Sequence, residues 1–251
     1  MEKAADTNGT GPTESAESRQ YLGLRDGIAS RISTGDLKPG DKLPSERQLQ
    51  GEFGLARGTI REALFLLEAE GAIFRRDRSG WYVSPPPVVY DPTRWEGFMS
   101  YVEAQGRVPT TFTISTATIP ADPLLSDIFS RPLGAPLHHI RRLRSVDGRA
   151  VLVEKLVVDA AITPGLLDFD LNTSLTAILK RNFGITVARN QISMQPCALT
   201  GDEAVDLRQK SGLPGLALQR VSYDGHGRVV EYDHEYWRHD AVQITVDLRV
   251  R

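Results

Sequence analysis

The stretch that decides the fold is Leu43–Gly80, LPSERQLQGEFGLARGTIREALFLLEAEGAIFRRDRSG. Ser45 and Gln48 have the spacing of a capping box, so a short helix is predicted from there to about Phe53. A second helix is predicted from Arg57, because apolar residues recur behind it at helical spacing. They are Ile60, Ala63, Leu64 and Leu67. Two helices joined by a turn of a few residues indicate a helix-turn-helix unit.

Further elements on both sides complete this domain. A helix is predicted between Tyr21 and Gly35, where Leu24, Ile28 and Ile32 are spaced by four. Behind the unit, residues 72–76 and 80–83 are predicted as two short strands joined by a tight turn. Three helices followed by a hairpin are typical of a winged helix, predicted here over residues 20–85.

Cations cluster at the two elements that such a fold inserts into DNA. Between Tyr21 and Pro85 there are ten Lys/Arg and nine Asp/Glu, a net charge of only +1. Attraction to DNA must therefore come from local placement of charge. The start of the second helix and the hairpin carry Arg57, Arg61, Arg75, Arg76 and Arg78. A solvated charged face is the alternative interpretation, and clustering at these elements favours DNA contact.

The composition excludes several other classes of protein. The chain has 251 residues and a net charge of −2, and its single cysteine, Cys197, excludes an internal disulfide and fits a reducing cytoplasm, the predicted location. No apolar run approaches the roughly 20 residues of a membrane helix, so no membrane partner is expected. The histidines show no metal-site pattern, and no nucleotide loop or nucleophile motif is recognisable. We therefore predict no metal, no cofactor and no catalytic residue.

The rest of the chain divides into a tail, a linker and a second domain. Residues 1–19 hold no large apolar residue beyond Met1 and are predicted as a disordered tail. Residues 86–105 are predicted as a linker that ends in a short amphipathic helix. From residue 106 the apolar period shifts to two, and the strand candidates are 110–118, 137–146, 150–159, 185–198, 215–223, 228–236 and 242–250. With helix candidates between them, residues 106–251 are predicted as an α+β domain with a mainly antiparallel sheet.

Charged residues of the second domain suggest a ligand site. Arg142 and Arg144 alternate along a predicted strand, so they lie on one face. Ser174 precedes a predicted helix, whose free N–H groups favour an anion. Paired arginines with a helix start favour phosphate, and the carboxylates Glu154 and Glu231 favour hydroxyls or an amine on the same ligand. Simple pairing of Arg142 with Glu154 on a wet sheet face is the alternative.

Residues 20–85 resemble the DNA-binding domain of the GntR family of bacterial transcription regulators. The resemblance is carried by Leu37–Gly40, Leu43–Leu49, Arg57–Leu64 and Ser79-Gly80. It implies a winged helix-turn-helix that binds a double-stranded DNA operator. The family's DNA contacts fall here on Arg47, Arg57, Thr59, Arg61 and the wing tip Ser79-Gly80, with Gly58 offering only backbone. Ala56 stands where some members have Thr or Ser.

The remainder, over roughly residues 106–250, resembles the UTRA effector domain. That domain accompanies the HutC branch of GntR regulators and shares the chorismate-lyase fold. The resemblance is carried by residues 106–109, 142–148, Glu154, Ser174-Leu175 and 231–240. In sugar-phosphate-sensing members two arginines and the helix start hold phosphate, and two glutamates hold the sugar. The effector-binding residues this implies are Arg142, Arg144, Glu154, Ser174, Thr176, Glu231 and Trp237, of which Thr176 and Trp237 stand where those members have Tyr.

The sequence thus predicts a ligand-responsive DNA-binding transcription regulator. We expect a homodimeric repressor released by a small anionic effector such as a sugar phosphate or a phosphonate. Organic acids and urocanate-like ligands stay open, as does an effector that promotes DNA binding. An enzyme of chorismate-lyase-like fold tethered to DNA is the alternative of another class, since fold does not fix function. An architectural DNA binder without a ligand is a third interpretation.

Overall fold

The chain folds as two units that divide between Pro86 and Pro87. The computed structural model describes residues 16–76, 78–94 and 96–248, with side chains from residue 20 onward. In the first unit α1 (Ala16–Ser33), α2 (Glu46–Phe53) and α3 (Arg57–Ala69) precede the hairpin β1 (Ile73–Arg76) and β2 (Gly80–Val83). This confirms the predicted winged helix. Of the predicted tail, residues 1–15 lie outside the described residues, and residues 16–19 begin α1.

Local sequence sets the ends of α2 and the core beneath α3. The Ser45 hydroxyl accepts a hydrogen bond from the Gln48 N–H, while the Gln48 side chain accepts one from the Ser45 N–H. This is the predicted capping box. Gly54 ends α2 in the left-handed region, at φ 65°. The apolar stripe of α3 is buried in the core of the unit, and it consists of Ile60, Ala63, Leu64 and Leu67.

The segment 86–105, expected as a linker, contributes two elements to the second unit. They are the strand β3 (Val88–Tyr90) and the helix α4 (Phe98–Glu103). Val88, Phe98 and Val102 are buried in one cluster with Trp237. Helical spacing of Phe98 and Val102 puts both on one face, and burial of that face attaches the segment to the second unit.

A six-stranded antiparallel sheet forms the centre of the second unit. Its strands are β4 (Pro109–Pro120), β5 (Pro136–Val146), β6 (Arg149–Asp159), β7 (Val187–Ala198), β8 (Pro214–Asp224) and β9 (Val229–Arg238). They lie in the order β4-β5-β6-β9-β8-β7. The predicted α+β class with an antiparallel sheet is therefore confirmed. The last expected strand is short, β10 (Val242–Ile244), and pairs in parallel with β3 instead of joining the large sheet.

Helices cover both faces of this sheet. They are α5 (Pro123–Phe129), α6 (Leu175–Phe183) and α7 (Gly201–Asp206), with a 3-10 turn at Leu166–Asp168. Side chains of α6 pack on Ile140 and Leu156 from one face, and α4 packs on Leu152 of the same face. Side chains of α7 pack on Val153, which faces the other way. Among the described residues, no helix has the length and apolarity needed to cross a membrane.

Candidate functional site

The first turn of α3 presents the predicted DNA-contacting residues on the surface. Arg57 has a side chain that is 72% exposed, and its Nε lies 3.5 Å from Glu46 Oε2 of α2. Gly58 and Arg61 are also exposed, and Thr59 is half-buried. The opposite face of α3 is buried in the core, so the helix can lie in a groove without leaving the unit. Arg47, on α2, is exposed as well.

The hairpin β1–β2 holds its arginines on aromatic rings. The Arg76 guanidinium lies 4.4 Å from the centroid of the Tyr82 ring, and that of Arg75 lies 6.0 Å from the Trp81 ring. Such stacking limits the freedom of the side chains while leaving their charge exposed. At the wing tip the Ser79 hydroxyl lies 2.6 Å from the Tyr82 hydroxyl. Arg78 and Gly80 have positive φ, 57° and 109°, which bends the backbone into the tight tip.

A polar cavity of about 60 Å³ lies on the α4 and α6 face of the sheet in the second unit. Of the residues predicted to bind an effector, the structure brings six together in its wall. They are Arg142, Arg144, Glu154, Ser174, Thr176 and Glu231. The segment 96–99 and Tyr90 form another part of the wall.

Arg142 and Arg144 share one buried carboxylate. Glu154 pairs with Arg142 Nε and, at 2.8 Å, with Arg144 Nη2. Arg142 also donates to the carbonyl oxygens of Leu171 and Thr173, at 3.1 and 3.4 Å. Burial would raise the pKa of Glu154, but the two guanidinium charges outweigh it and hold that pKa below its usual value. Arg142 thus fixes the loop before α6, and the pairing of Arg142 with Glu154 expected as an alternative is present inside the cavity wall.

The start of α6 faces the same cavity. Ser174 caps the helix, since its hydroxyl accepts from the Ala177 N–H at 3.3 Å. A Cβ placed at Gly97 would lie 3.8 Å from Ser174 Oγ and 3.9 Å from Thr176 Oγ1. Gly97 therefore brings the segment before α4 against the first turn of α6. A helix N-terminus beside two arginines suits a negatively charged group.

Strand β9 adds a row of carboxylates that the sequence reasoning missed apart from Glu231. Glu231, Asp233 and Glu235 alternate along the strand, so they share the cavity face. Asp233 lies opposite Arg220 of β8 in the sheet register. Alternation in the sequence EYDHEYW would have signalled the row. The pairing with Arg220 depends on strand order, which the sequence does not specify.

Trp237 lies one step behind the cavity instead of lining it. Its side chain is 1% exposed and packs in the cluster with Phe98. Its indole N–H donates to Glu235 Oε2 at 2.6 Å, and Glu235 lines the cavity. Trp237 is not among the residues that line the cavity, so it acts on the cavity through Glu235.

The electrostatics of the cavity are unusual because carboxylates outnumber arginines. Glu96, Glu154, Glu231, Asp233 and Glu235 line it, against Arg142, Arg144 and Arg220. Burial, together with the charges of Glu235 and Glu154, raises the pKa of Asp233 well above its usual value despite Arg220. Burial also raises the pKa of Glu231, against the opposing charges of Arg220 and Arg142. The cavity wall therefore disfavours ionisation of both the Glu231 and the Asp233 carboxyl groups of β9.

A winged helix with surface cations, followed along the chain by a domain with a polar cavity, is typical of DNA-binding transcription regulators that carry an effector domain. The sequence matches the family "Bacterial regulatory proteins, gntR family" over residues 20–83 and the "UTRA domain" over residues 104–243. The chain belongs to the GntR family of bacterial regulators, in the branch whose members carry a UTRA domain.

Relatives and solved structures agree with this assignment. The uncharacterized HTH-type transcriptional regulator YihL of Escherichia coli (strain K12) is 30% identical over 94% of this chain and 97% of its own length. The HTH-type transcriptional repressor NagR of Bacillus subtilis (strain 168) is 26% identical over 88% of this chain and 90% of its own. The crystal structure of PhnF from Mycobacterium smegmatis covers 91% of this chain and 100% of its own at 27% identity, with a TM-score of 0.66. These relatives are regulators and not enzymes, so the enzymatic alternative is not favoured.

Proposed function

We propose that this protein is a homodimeric repressor that leaves its double-stranded operator when a small anionic effector enters the polar cavity. Two relatives, NagR and the PhnF of Mycolicibacterium smegmatis, carry the name of transcriptional repressors. The observation that carries the effector half of the proposal is the placement of Arg142 and Arg144 beside the start of α6 in one cavity wall.

The DNA half of the proposal assigns roles to the cations of the first unit. Arg57, Gly58, Thr59 and Arg61 of α3 enter the major groove, where Arg57 and Arg61 contact base edges or phosphates. Arg47 contacts the backbone. In the wing, Arg75, Arg76, Arg78, Ser79 and Gly80 contact the flanking backbone or the minor groove. Two copies of the chain would place two such helices on the half-sites of a pseudo-palindromic operator.

The size of the cavity supports a link between ligand binding and DNA release. A volume of about 60 Å³ is small beside the roughly 300–1,000 Å³ of common ligand pockets. A sugar phosphate would therefore displace part of the wall. The segment 96–99 is such a part, and it belongs to the stretch that leads from the DNA-binding unit into the second unit. The ligand then binds more tightly when this segment is displaced than when it is in place. That difference in affinity supplies the free energy that shifts the equilibrium from the DNA-binding state to the released state.

The DNA half is tested with Arg57→Ala. Its exposed ion pair with Glu46 contributes little to folding, so the variant should fold normally. We expect specific operator binding to weaken by about 1–3 kcal/mol in a fluorescence-anisotropy titration, with thermal stabilisation by phosphate unchanged. Arg31→Ala, which removes an exposed arginine near the end of α1, is the matched control. Equal operator affinity in the wild-type protein and the Arg57 variant would show that α3 is not the recognition helix.

The effector half is tested with Arg144→Ala. Arg142 keeps Glu154 paired in this variant, so the fold should survive. We expect a protein that binds the operator as the wild type does but is no longer released by phosphate or phosphonate compounds. Arg141→Ala is the control, because Arg141 lies on the opposite face, where it pairs with Asp206 of α7 at 2.5 Å. Normal release of the Arg144 variant by such compounds refutes the site.

A further inference from the structure

One buried carboxylate oxygen in the cavity wall has no partner within the described part of the chain. It is Oδ1 of Asp233, a residue that is 1% exposed and lines the cavity. The other oxygen, Oδ2, lies 3.7 Å from Arg220 Nη1, beyond hydrogen-bond distance. Native proteins rarely leave a buried polar atom unsatisfied, because its desolvation is costly. An unsatisfied atom in a cavity wall therefore indicates where a ligand supplies the missing partner.

Arg220 makes its hydrogen bonds to other groups of the wall and not to Asp233. Its Nη2 donates to Glu235 Oε1 at 2.6 Å and to the Tyr90 hydroxyl at 3.1 Å. The remaining oxygen of Glu235 accepts from the Trp237 indole. Glu235 thus has both oxygens engaged and holds the Arg220 guanidinium near itself. Asp233, by contrast, keeps a buried oxygen without a partner among the described residues and so is open to a ligand.

A donor atom in the same wall lacks a partner too. Arg144 Nε is buried and makes no hydrogen bond to any residue that the structure describes, while the Arg144 Nη atoms are engaged by Thr111 and Glu154. Arg144 comes from β5 and Asp233 from β9, with β6 between them. Among the described residues the cavity therefore offers a free buried donor and a free buried carboxylate oxygen from separate strands, which suits a ligand with two different polar ends.

We propose that Asp233 forms a second polar subsite of the effector cavity and binds a hydrogen-bond donor, a hydroxyl or an ammonium group, on the ligand whose anionic group faces Arg142 and Arg144. This inference rests on the effector site proposed above and names the chemical class of its ligand. The effector is an anion that carries a hydroxyl or amino group a few bonds away, and an inorganic anion alone leaves the subsite unfilled.

The charge of the wall favours the same class. Five carboxyl groups and three arginines line the cavity. Asp233 is buried beside other carboxyl groups of the wall, so a further negative charge at its position is expensive. A ligand end that donates a hydrogen bond or carries a positive charge is accommodated at Asp233, whereas an anionic end is not.

The test compares four probes on the full chain by isothermal titration calorimetry. They are inorganic phosphate, propyl phosphate, 3-hydroxypropyl phosphate and 3-aminopropyl phosphate. We expect at least one of the two donor-bearing probes to bind about tenfold more tightly than propyl phosphate, and the stronger of the two identifies the donor. In Asp233→Leu, which has a similar volume and no polar atom, this preference should vanish while propyl phosphate still binds. Asp202→Asn, which alters an exposed carboxylate of α7, should keep the preference.

The outcomes separate this inference from the proposed function. Equal binding of propyl phosphate and both donor-bearing probes overturns the Asp233 subsite and leaves the anion site standing. A preference that persists in Asp233→Leu overturns it as well. If none of the four probes binds at millimolar concentration, the anion site at Arg142 and Arg144 fails, and the subsite fails with it. Should the leucine variant not fold, Asp233→Asn replaces it and is expected to lose the tighter binding of the ammonium probe.

Discussion

At the scale of single residues, Asp233 shows how burial in the sheet controls the protonation of a carboxyl group. Its pKa is raised above the usual 3.8, first by burial and then by Glu235 and Glu154. The folded protein therefore holds the Asp233 proton more tightly than the unfolded chain does. A group of this kind contributes stability that is fully present below its unfolded pKa and is lost as the pH rises through its folded pKa.

This sign gives a prediction for Asp233→Asn. The amide has no proton to lose, so the variant escapes the loss of stability that wild type suffers as the pH rises. We expect the free energy of unfolding of the variant, relative to wild type, to increase as the pH rises above about 4, the usual pKa of an aspartate. Urea denaturation at a series of pH values measures it, with Asp202→Asn as the exposed control. A difference that does not change with pH in this range contradicts the raised pKa.

The same residues show what the sequence could and could not predict about the site. Arg142, Arg144 and Glu154 were predicted because alternation along a strand and a hairpin turn place them together by local rules alone. Arg220, Asp233 and Tyr90 come from strands β8, β9 and β3, which meet only through strand order and burial. Trp237 was expected in the wall because it stands where similar UTRA domains have a pocket tyrosine. The alternation of β9 does point it to the cavity face, and only the packing of Phe98 over it shows that it is covered.

At the scale of elements, the helix α3 begins without a side-chain cap. Ala56 occupies the N-cap position in extended conformation, with φ −63° and ψ 149°, and offers no side-chain oxygen to the first N–H groups. Ser45 has a nearly identical backbone conformation before α2, with φ −63° and ψ 156°, and does cap its helix. The two helices of one motif thus differ in how their first turns are held.

We expect Ala56→Ser to raise the free energy of unfolding of the first unit by about 0.5–1 kcal/mol, because its hydroxyl can accept a free N–H of α3. Ser45→Ala should lower it by a similar amount through loss of the capping box. Urea denaturation of both variants beside wild type measures the two effects. If Ala56→Ser is neutral while Ser45→Ala destabilises, the uncapped start of α3 carries no stability cost.

The predicted boundaries of the strands agree best with the structure where the apolar alternation is regular and a clear turn ends it. The strands β5 and β6 match their predicted ranges to within a residue, because a clear turn at Asp147-Gly148 separates them. β10 was predicted too long, since alternation continues to residue 250 while pairing with β3 ends at Ile244. The linker prediction missed β3 because three residues are too few to give a period.

At the scale of the whole molecule, DNA binding has to work against the overall charge. The chain carries a net charge of −2, so we expect DNA to be attracted locally, at the surface arginines of the first unit. Affinity for the operator should therefore fall with salt, with a slope that is set by the number of phosphates these arginines contact.

Arg76→Ala tests this at the wing. We expect the slope of log K against log salt concentration to fall by about 1, with weaker binding to operator and to unrelated DNA alike. Arg189→Ala is a matched control in the second unit, where the guanidinium also lies over a tyrosine, 3.6 Å from the Tyr223 ring centroid. An unchanged slope for Arg76→Ala would show that Arg76 of the wing makes no phosphate contact.

The parallel pair of β3 and β10 has a practical consequence for anyone who handles this protein. The Val88 N–H donates to the Ala241 carbonyl at 2.8 Å, and the Thr245 N–H donates to the Tyr90 carbonyl at 3.0 Å. The chain beyond Arg238 therefore holds the strand that follows the DNA-binding unit, and that strand carries the tyrosine whose hydroxyl meets Arg220. A purification tag, a fluorescent fusion or a trimmed boundary placed near Ile244 would act on this strand directly. The position of a tag therefore affects the ligand response that an induction assay measures.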